Sequence, residues 1–451
     1  MGLLLEILLI LGIFLPMYHM VNALPFRKKK ESLAIVNYGV TIIIPSYNEE
    51  LIVAQTIRGL LAQKYDNKEI IFVNDGSKDK TWRILSNVLD LTICDVDAHH
   101  ALHTGKINGY YKSKKYKRFY AIDLENSGKG YAINAGINYA SNELIVTLDA
   151  DSILEEEALN QIIPHFYEED VVAASGIIQI LQSYDFNKKN RVTLNMKTLL
   201  KLQTIEYIKS CYTYKSSLAK HNALIVISGA YGIFRKKVLV EIGGFKSVVG
   251  EDLEITLNIH FDYLSKNNGR IIYEPRSICY TEGPETLADL LRQRLRWQKS
   301  FIEGLIHYKY QIKDKIFKEP LSFFMVIDAL LIGVFGSVII FLLFILAIFF
   351  RYGISDNFIN YLLIYFGVHL LYSISSLLIA KHFCVIFRLS DLIRLIYTVI
   401  VDLTIYRVFI LFSIVGGTLA YYFQPHTWDR VQRSGRDYDG EGGSVYEQEN
   451  D

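Results

Sequence analysis

Two aspartates one residue apart, Asp149 and Asp151, close the apolar run Glu143–Asp149. In an extended strand side chains alternate with period two, so both carboxylates can project the same way. Paired carboxylates at a strand end suit Mg²⁺ or Mn²⁺, hard ions that keep waters and take further ligands from phosphate oxygens. A solvated turn uses the same residues, and a lone D-x-D is a short motif. Asp75 ends a second run, Ile70–Gly76, in Asn-Asp-Gly, which also reads as a turn. Two strand ends of one sheet would bring these acids to one crevice.

Four other segments carry chemistry. Pro45–Glu50 follows the first strand; Ser46 or Asn48 can cap a helix there, and Tyr47 and Glu49 can reach a base and a ribose. Asn126–Gly130 (NSGKG) precedes a helix over Tyr131–Tyr139, and Lys129 with its glycines can take phosphate at the helix start. The spacing is not a Walker A, which disfavours an ATPase. Gly250-Glu251-Asp252 opens a helix, where acids cap the dipole; Asp252 can also deprotonate an acceptor hydroxyl in a single displacement. Gln293, Arg296 and Trp297 fall at i, i+3 and i+4 on one helical face. The ring can stack on a pyranose and the arginine can reach phosphate. An interfacial Trp flanked by snorkelling arginines has the same composition.

Strands and helices must hold these residues. Short β-rich runs at Val40–Pro45, Glu69–Asp75, Glu143–Asp149, Val171–Ser175, Ala223–Ser228 and Arg270–Tyr273 alternate with helical spacing, as in Asn48–Gln63. Apolar strands joined by helices predict an α/β, Rossmann-like domain on a parallel sheet, ligands binding beyond the carboxyl ends. This domain is expected over 38–283.

The rest of the 451 residues is apolar or amphipathic. Mean hydropathy is +0.20 and aromatics reach 13%, which suits a chain that is part membrane protein. Residues 1–30 read as a transmembrane anchor, whose positive charges at Arg27–Lys30 follow the apolar run and place that flank in the cytosol. Residues 284–320 form amphipathic interface helices. Residues 321–423 hold apolar stretches at Phe323–Phe350, Phe358–Ala380 and Leu395–Phe423, and 424–451 is a polar tail. Three later spans would put that tail outside, whereas Arg430, Arg433 and Arg436 favour the cytosol, so the number of spans stays open. Asp402 and Arg407 are costly in lipid, and either pair with each other or face a polar channel.

Charge excludes some partners. With 48 basic and 47 acidic side chains, nothing points to nucleic acid, and the basic run Lys112–Arg118 reads as a solvated loop or a lipid contact. The insertion at Asp95–Arg118 holds His99, His100 and His103 and reads as a surface loop. Cys94, Cys211, Cys279 and Cys384 show no C-x-x-C spacing, so free thiols are expected.

Taken in order, these segments resemble the family 2 membrane glycosyltransferases, the group of cellulose, hyaluronan, chitin and poly-N-acetylglucosamine synthases. The resemblance implies a GT-A fold over roughly residues 38–310, with flanking transmembrane helices. It implies that Asp75 contacts uridine diphosphate, that Asp149 and Asp151 bind diphosphate and metal with Asp151 the direct ligand, and that Asp252 is the catalytic base. Gln293, Arg296 and Trp297 match the Q-x-x-R-W motif beside acceptor and diphosphate, and Ser228-Gly229-Ala230 matches the acceptor-side loop. Leu202–Tyr207 and Ser228–Lys236 look most similar to poly-N-acetylglucosamine synthases, although Gly250 stands where those have Thr. The implied activity is inverting, processive polymerisation of UDP-GlcNAc or UDP-glucose into a β-linked exopolysaccharide that crosses the membrane. A single transfer to a lipid acceptor is the alternative. Implied partners are the UDP-sugar, the growing polysaccharide, membrane lipids and a small membrane accessory subunit.

Overall fold

The computed structural model describes residues 2–25, 38–96, 101–184, 191–336, 338, 339, 342, 356–383, 385–387 and 391–424. Its centre is a ten-stranded sheet. In chain order the strands are β1 (Val40–Ser46), β2 (Lys68–Asp75), β3 (Leu91–Ile93), β4 (Ile107–Ser113), β5 (Phe119–Leu124), β6 (Leu144–Leu148), β7 (Ser152–Leu154), β8 (Val171–Ile180), β9 (Arg191–Val192), β10 (Tyr231–Arg235), β11 (Arg270–Thr281) and β12 (Ile386–Phe387). The sheet order is β3-β4-β5-β2-β1-β6-β10-β8-β11-β7, and β9 pairs with β12 separately.

The expected parallel sheet is corrected to a mixed one. β5, β2, β1 and β6 run parallel. β10 then runs antiparallel to both β6 and β8, and β3 and β4 add an antiparallel edge beside β5. Ile42, Ile43 and Ile44 of β1 are fully buried. Burial of each such side chain stabilises by about 1.5–3 kcal/mol. Helices cover both faces, Val53–Leu61 and Thr81–Leu89 among them.

Several sequence expectations shift. Ala223–Ser228 is not a strand. Ala223, Leu224 and Ile227 are buried as a connector, and the Ile227 amide donates to Thr256 Oγ1 at 2.9 Å rather than to a neighbouring strand. The strand is the next run, β10. The Asp95–Arg118 insertion is not a bare loop either, because its second half forms β4 and Arg118 turns into β5 with φ +63°. His99 and His100 lie outside the described residues. The His103 ring meets Tyr131 edge-on. The first helix starts at Val53, and Asn48 is no N-cap: at φ +55° its Oδ1 accepts from the amides of Lys78 and Asp79. The thiols of Cys94, Cys211 and Cys279 are free; Cys384 lies outside the described residues.

Beyond the sheet, the helix Leu287–His307 is capped by Thr286, whose Oγ1 accepts from the Asp289 amide at 3.1 Å. Two helices, Leu363–His382 and Leu392–Phe423, are long and apolar enough to cross a membrane. They expose Leu363, Leu371, Ile393 and Phe412. The expected first span is a helix over Gly2–Ala23, of which Ile10–Ala23 is a short apolar segment. It packs on the helix Asp356–His382. The Phe323–Phe350 stretch is a wide-turn helix over Phe324–Gly336, bent by 107° from Lys309–Lys315, and most of the remainder lies outside the described residues. Arg430, Arg433 and Arg436 do too. Asp402 forms an ion pair with Lys209, a cation the sequence pattern did not suggest, while Arg407 also lies within its electrostatic reach, as expected.

The helix Arg407–Phe423 lies against Leu287–His307. Gly417 allows this approach, since a Cβ there would stand 2.6 Å from Gln298 Cβ. Gly367 meets nothing within 4 Å. Gly417→Val should therefore destabilise the detergent-solubilised chain by about 1–3 kcal/mol, the scale of overpacking, while Gly367→Val leaves it unchanged. Thermal unfolding of the two variants side by side measures the difference.

Candidate active site

Three strand ends and two loops meet at one edge of the sheet. The carboxyl ends of β1, β2 and β6 point there because these strands are parallel. β10 arrives from the opposite direction, with Tyr231 opposite Leu148. Its preceding loop, Ser228-Gly229-Ala230, therefore lies beside Asp149, whose amide donates to the Ala230 carbonyl at 3.4 Å. A wholly parallel sheet would carry this loop to the far edge.

Lys129 occupies the centre. Its Nζ lies 2.7 Å from Asp149 Oδ1 and 2.7 Å from Glu251 Oε1. Burial alone would lower the lysine, but Asp149 and Glu251 hold it above its ordinary value. Burial pushes the Asp149 carboxyl up to about 6; Lys129 opposes this and the Asp151 charge adds to it. Gly229 is hemmed in by the same group, since a Cβ there would lie 3.0 Å from Lys129 Nζ and 3.3 Å from Glu251 Oε1. Glycine thus lets the Ser228–Ala230 loop touch the charged cluster.

Asp252 sits in the first turn of the helix Glu251–Asn258. Its Oδ2 accepts from the Gly229 amide at 3.2 Å and its Oδ1 from the Leu253 amide at 2.8 Å. The acid is thereby tied to the Ser228–Ala230 loop. Asp151 is buried, and its Oδ1 accepts from Ser152 Oγ at 3.1 Å and Thr281 Oγ1 at 3.4 Å. Asp149 and Asp151 form an all-oxygen donor set of the kind Mg²⁺ or Mn²⁺ takes. Among the described residues no three His, Cys, Asp or Glu side chains are grouped to hold a metal ion by themselves.

Asp75 has a local task. Its carboxylate accepts from the Ser127 amide at 2.7 Å, the Gly128 amide at 3.0 Å and Ser127 Oγ at 3.2 Å. Burial raises this carboxyl against the pull of those amides. The bonds hold the Asn126–Gly128 loop from which the Lys129–Tyr139 helix starts, so Asp75 sets the position of Lys129. Tyr47 and Glu49 lie half-buried in the loop after β1, stapled to the loop after β2 by Asn48 N to Ser77 Oγ at 3.0 Å and Glu49 N to Thr81 Oγ1 at 2.7 Å.

The helix Leu287–His307 carries Gln293, Arg296 and Trp297. Among the described residues, Gln293 Oε1 is buried and takes no hydrogen bond. Trp297 is 41% exposed. The Arg294 guanidinium lies over its ring at 4.3 Å, and the Tyr207 ring centroid is 6.5 Å away.

Sequence reasoning missed Glu251, the second carboxylate on Lys129. The signal was present in Glu251-Asp252, but a helix-capping role explained one acid too easily. It also missed Arg294, the second residue of the Gln293–Trp297 run, because only the i, i+3, i+4 face was read.

The sequence and the fold are similar to those of known proteins. Residues 41–243 match the family described as glycosyl transferase family 2, and residues 144–423 match glycosyl transferase family group 2. A poly-β-1,6-N-acetyl-D-glucosamine synthase of Staphylococcus aureus strain COL is 30% identical over 312 residues, covering 66% of this chain and 66% of that protein. The synthase of the same name from Staphylococcus epidermidis is 31% identical over 271 residues, covering 59% of this chain and 56% of that one. The chain therefore spans about two thirds or less of these relatives' length. A solved mannosyltransferase of Pyrobaculum calidifontis, in complex with GDP-Man and Mn²⁺, superposes with a TM-score of 0.52 at 16% identity, covering 93% of this chain and 99% of that one. The fold is thus the GT-A glycosyltransferase fold, and the chain belongs to glycosyltransferase family 2.

Proposed function

We propose that the chain is an inverting polysaccharide synthase that polymerises N-acetylglucosamine from UDP-GlcNAc into a β-linked chain, working at a membrane. One observation carries the reading: Lys129, Asp149 and Glu251 meet at the sheet edge where Gly229 ties Asp252 to the acceptor-side loop. Donor-side charge and acceptor-side base thus face one another across a single loop. The relatives named as poly-β-1,6-N-acetyl-D-glucosamine synthases supply the sugar and make β-1,6 the linkage to test first.

The roles divide as follows. Tyr47 and Glu49 cradle the nucleoside. Asp75 holds the loop from which Lys129 reaches the diphosphate. The start of the Lys129–Tyr139 helix adds its dipole toward that charge. Asp151 and Asp149 would hold a Mg²⁺ or Mn²⁺ ion, which supplies charge neutralisation of the diphosphate leaving group. Asp252 takes the proton from the acceptor hydroxyl, which attacks the anomeric carbon as the bond to diphosphate breaks and the configuration inverts. Gln293 and Trp297 support the acceptor sugar, and Arg296 is within the same face for phosphate. Product left in place serves as the next acceptor, and the helices Leu363–His382 and Leu392–Phe423 would lie beside its path through the membrane.

Purified full-length protein supplied with UDP-GlcNAc and Mn²⁺ should yield long polymer from the first turnovers, read by size-exclusion of labelled product. Single-sugar lipid products would replace this reading with transfer to a lipid acceptor. Asp252→Asn should lower transfer by roughly 10²–10⁴-fold, the usual share of a general base, with UDP-GlcNAc binding retained by calorimetry. Removal of divalent ions by chelation should stop turnover, Mn²⁺ should restore it, and Asp151→Asn should raise the ion concentration needed for half activity.

A further inference from the structure

Glu206 stands where three elements meet. It lies near the end of the helix Thr198–Ile208. Its Oε2 accepts from Arg294 Nη2 at 2.9 Å and from the Tyr406 hydroxyl at 2.7 Å. Arg294 comes from the helix Leu287–His307, and Tyr406 closes the wide helical turn Asp402–Tyr406 inside the second membrane-spanning helix. One turn along, Lys209 pairs with Asp402. Glu206 and Lys209 are three residues apart and Asp402 and Tyr406 four, so the two contacts are successive rungs between the same two elements. Arg294 is 8% exposed and Tyr406 3%. A guanidinium so buried keeps its carboxylate, because separation would leave an uncompensated charge.

The junction does not end at Arg294. Its guanidinium lies over the Trp297 ring at 4.3 Å, a cation–π contact that orients the ring plane. Trp297 is the aromatic that the proposed function sets against the acceptor sugar. Arg294 is therefore linked through Glu206 to Tyr406 of the membrane helix on one side and on the other faces the acceptor platform.

We propose that Glu206 and Tyr406 are positioning residues for the acceptor: through Arg294 they fix the plane of Trp297, so that the membrane helix and the acceptor platform move as one. The inference rests on the polysaccharide-synthase reading for the identity of the acceptor, but the positioning is a matter of this chain's geometry. A purely structural ion pair would affect stability and leave the preference between donor and acceptor alone.

The test uses full-length protein in lipid nanodiscs with Tyr406→Phe, Glu206→Gln and the double variant. Tyr406→Phe removes one hydroxyl and keeps the ring, so it is the mild member. Apparent KM for an N-acetylglucosamine oligomer should rise roughly tenfold or more, on the scale of one charge-assisted hydrogen bond, with KM for UDP-GlcNAc unchanged. The double variant should be no worse than Glu206→Gln alone, since both changes act through one carboxylate oxygen. Fluorine NMR of 5-fluorotryptophan-labelled protein gives a second readout. The Trp297 resonance, identified by its loss in Trp297→Phe, should shift in both single variants while that of Trp82 stays. Equal changes in donor and acceptor KM, or an unmoved Trp297 resonance, would overturn the proposal. If the unaltered protein turns over no UDP-sugar, the polysaccharide-synthase reading fails, and the resonance alone then decides the positioning.

Discussion

The whole site is arranged around the neutralisation of acids gathered at one sheet edge. Asp149, Asp151, Glu251 and Asp252 come to that edge from two segments about a hundred residues apart in sequence. Burial pushes the Asp149 carboxyl up to about 6, and the neighbouring Asp151 charge adds to the rise. Lys129 opposes that rise by bridging Asp149 and Glu251. Its own place is set by the loop that Asp75 anchors. The acids, the lysine and the loop are thus one electrostatic unit, and removing Lys129 leaves Asp149 and Glu251 without their counter-charge.

The sheet topology follows the same need. β1, β2 and β6 run parallel and bring their carboxyl ends to one edge. A further parallel strand would have to enter from the opposite edge. β10 runs the other way, so the loop before it joins the site. Gly229 then lets that loop approach to contact distance of Lys129 and Asp252. The departure from a parallel sheet is what places the Ser228–Ala230 backbone next to the charges of Lys129 and Asp149.

The strands that frame the site were legible because they are strongly apolar. Val40–Pro45 and Glu69–Asp75 lie within strands and Leu144–Leu148 forms a third, with Asp75 ending one and Asp149 following another. The errors came where apolarity has two causes. Ala223–Ser228 is as apolar as a strand, yet it is buried as a connector, whereas Tyr231–Arg235 contains a glycine and an arginine and is a central strand. Arg235 can be buried there because its guanidinium donates to the carbonyls of Phe166, Glu168 and Val171, partners no local pattern reveals. The same holds for Asp402, whose partner Lys209 is 193 residues away in sequence.

Long-range pairs of that kind also connect the two halves of the chain. Ile379 and Ala380 of the helix Asp356–His382 are buried in one cluster with sheet residues such as Ile177 and Tyr231, and Tyr406 packs with Leu202 and Leu290. To this apolar packing are added buried polar contacts, Glu206 with Arg294 and Tyr406 and Lys209 with Asp402, and the close approach at Gly417. Directional contacts of this type fix register and angle more sharply than greasy packing does. A site in which an acceptor must meet a sugar carbon within a fraction of an ångström benefits from such definition. The cost of burying those charges is therefore best understood as the means by which the helix Leu287–His307 keeps a single orientation against both the sheet edge and the membrane helices.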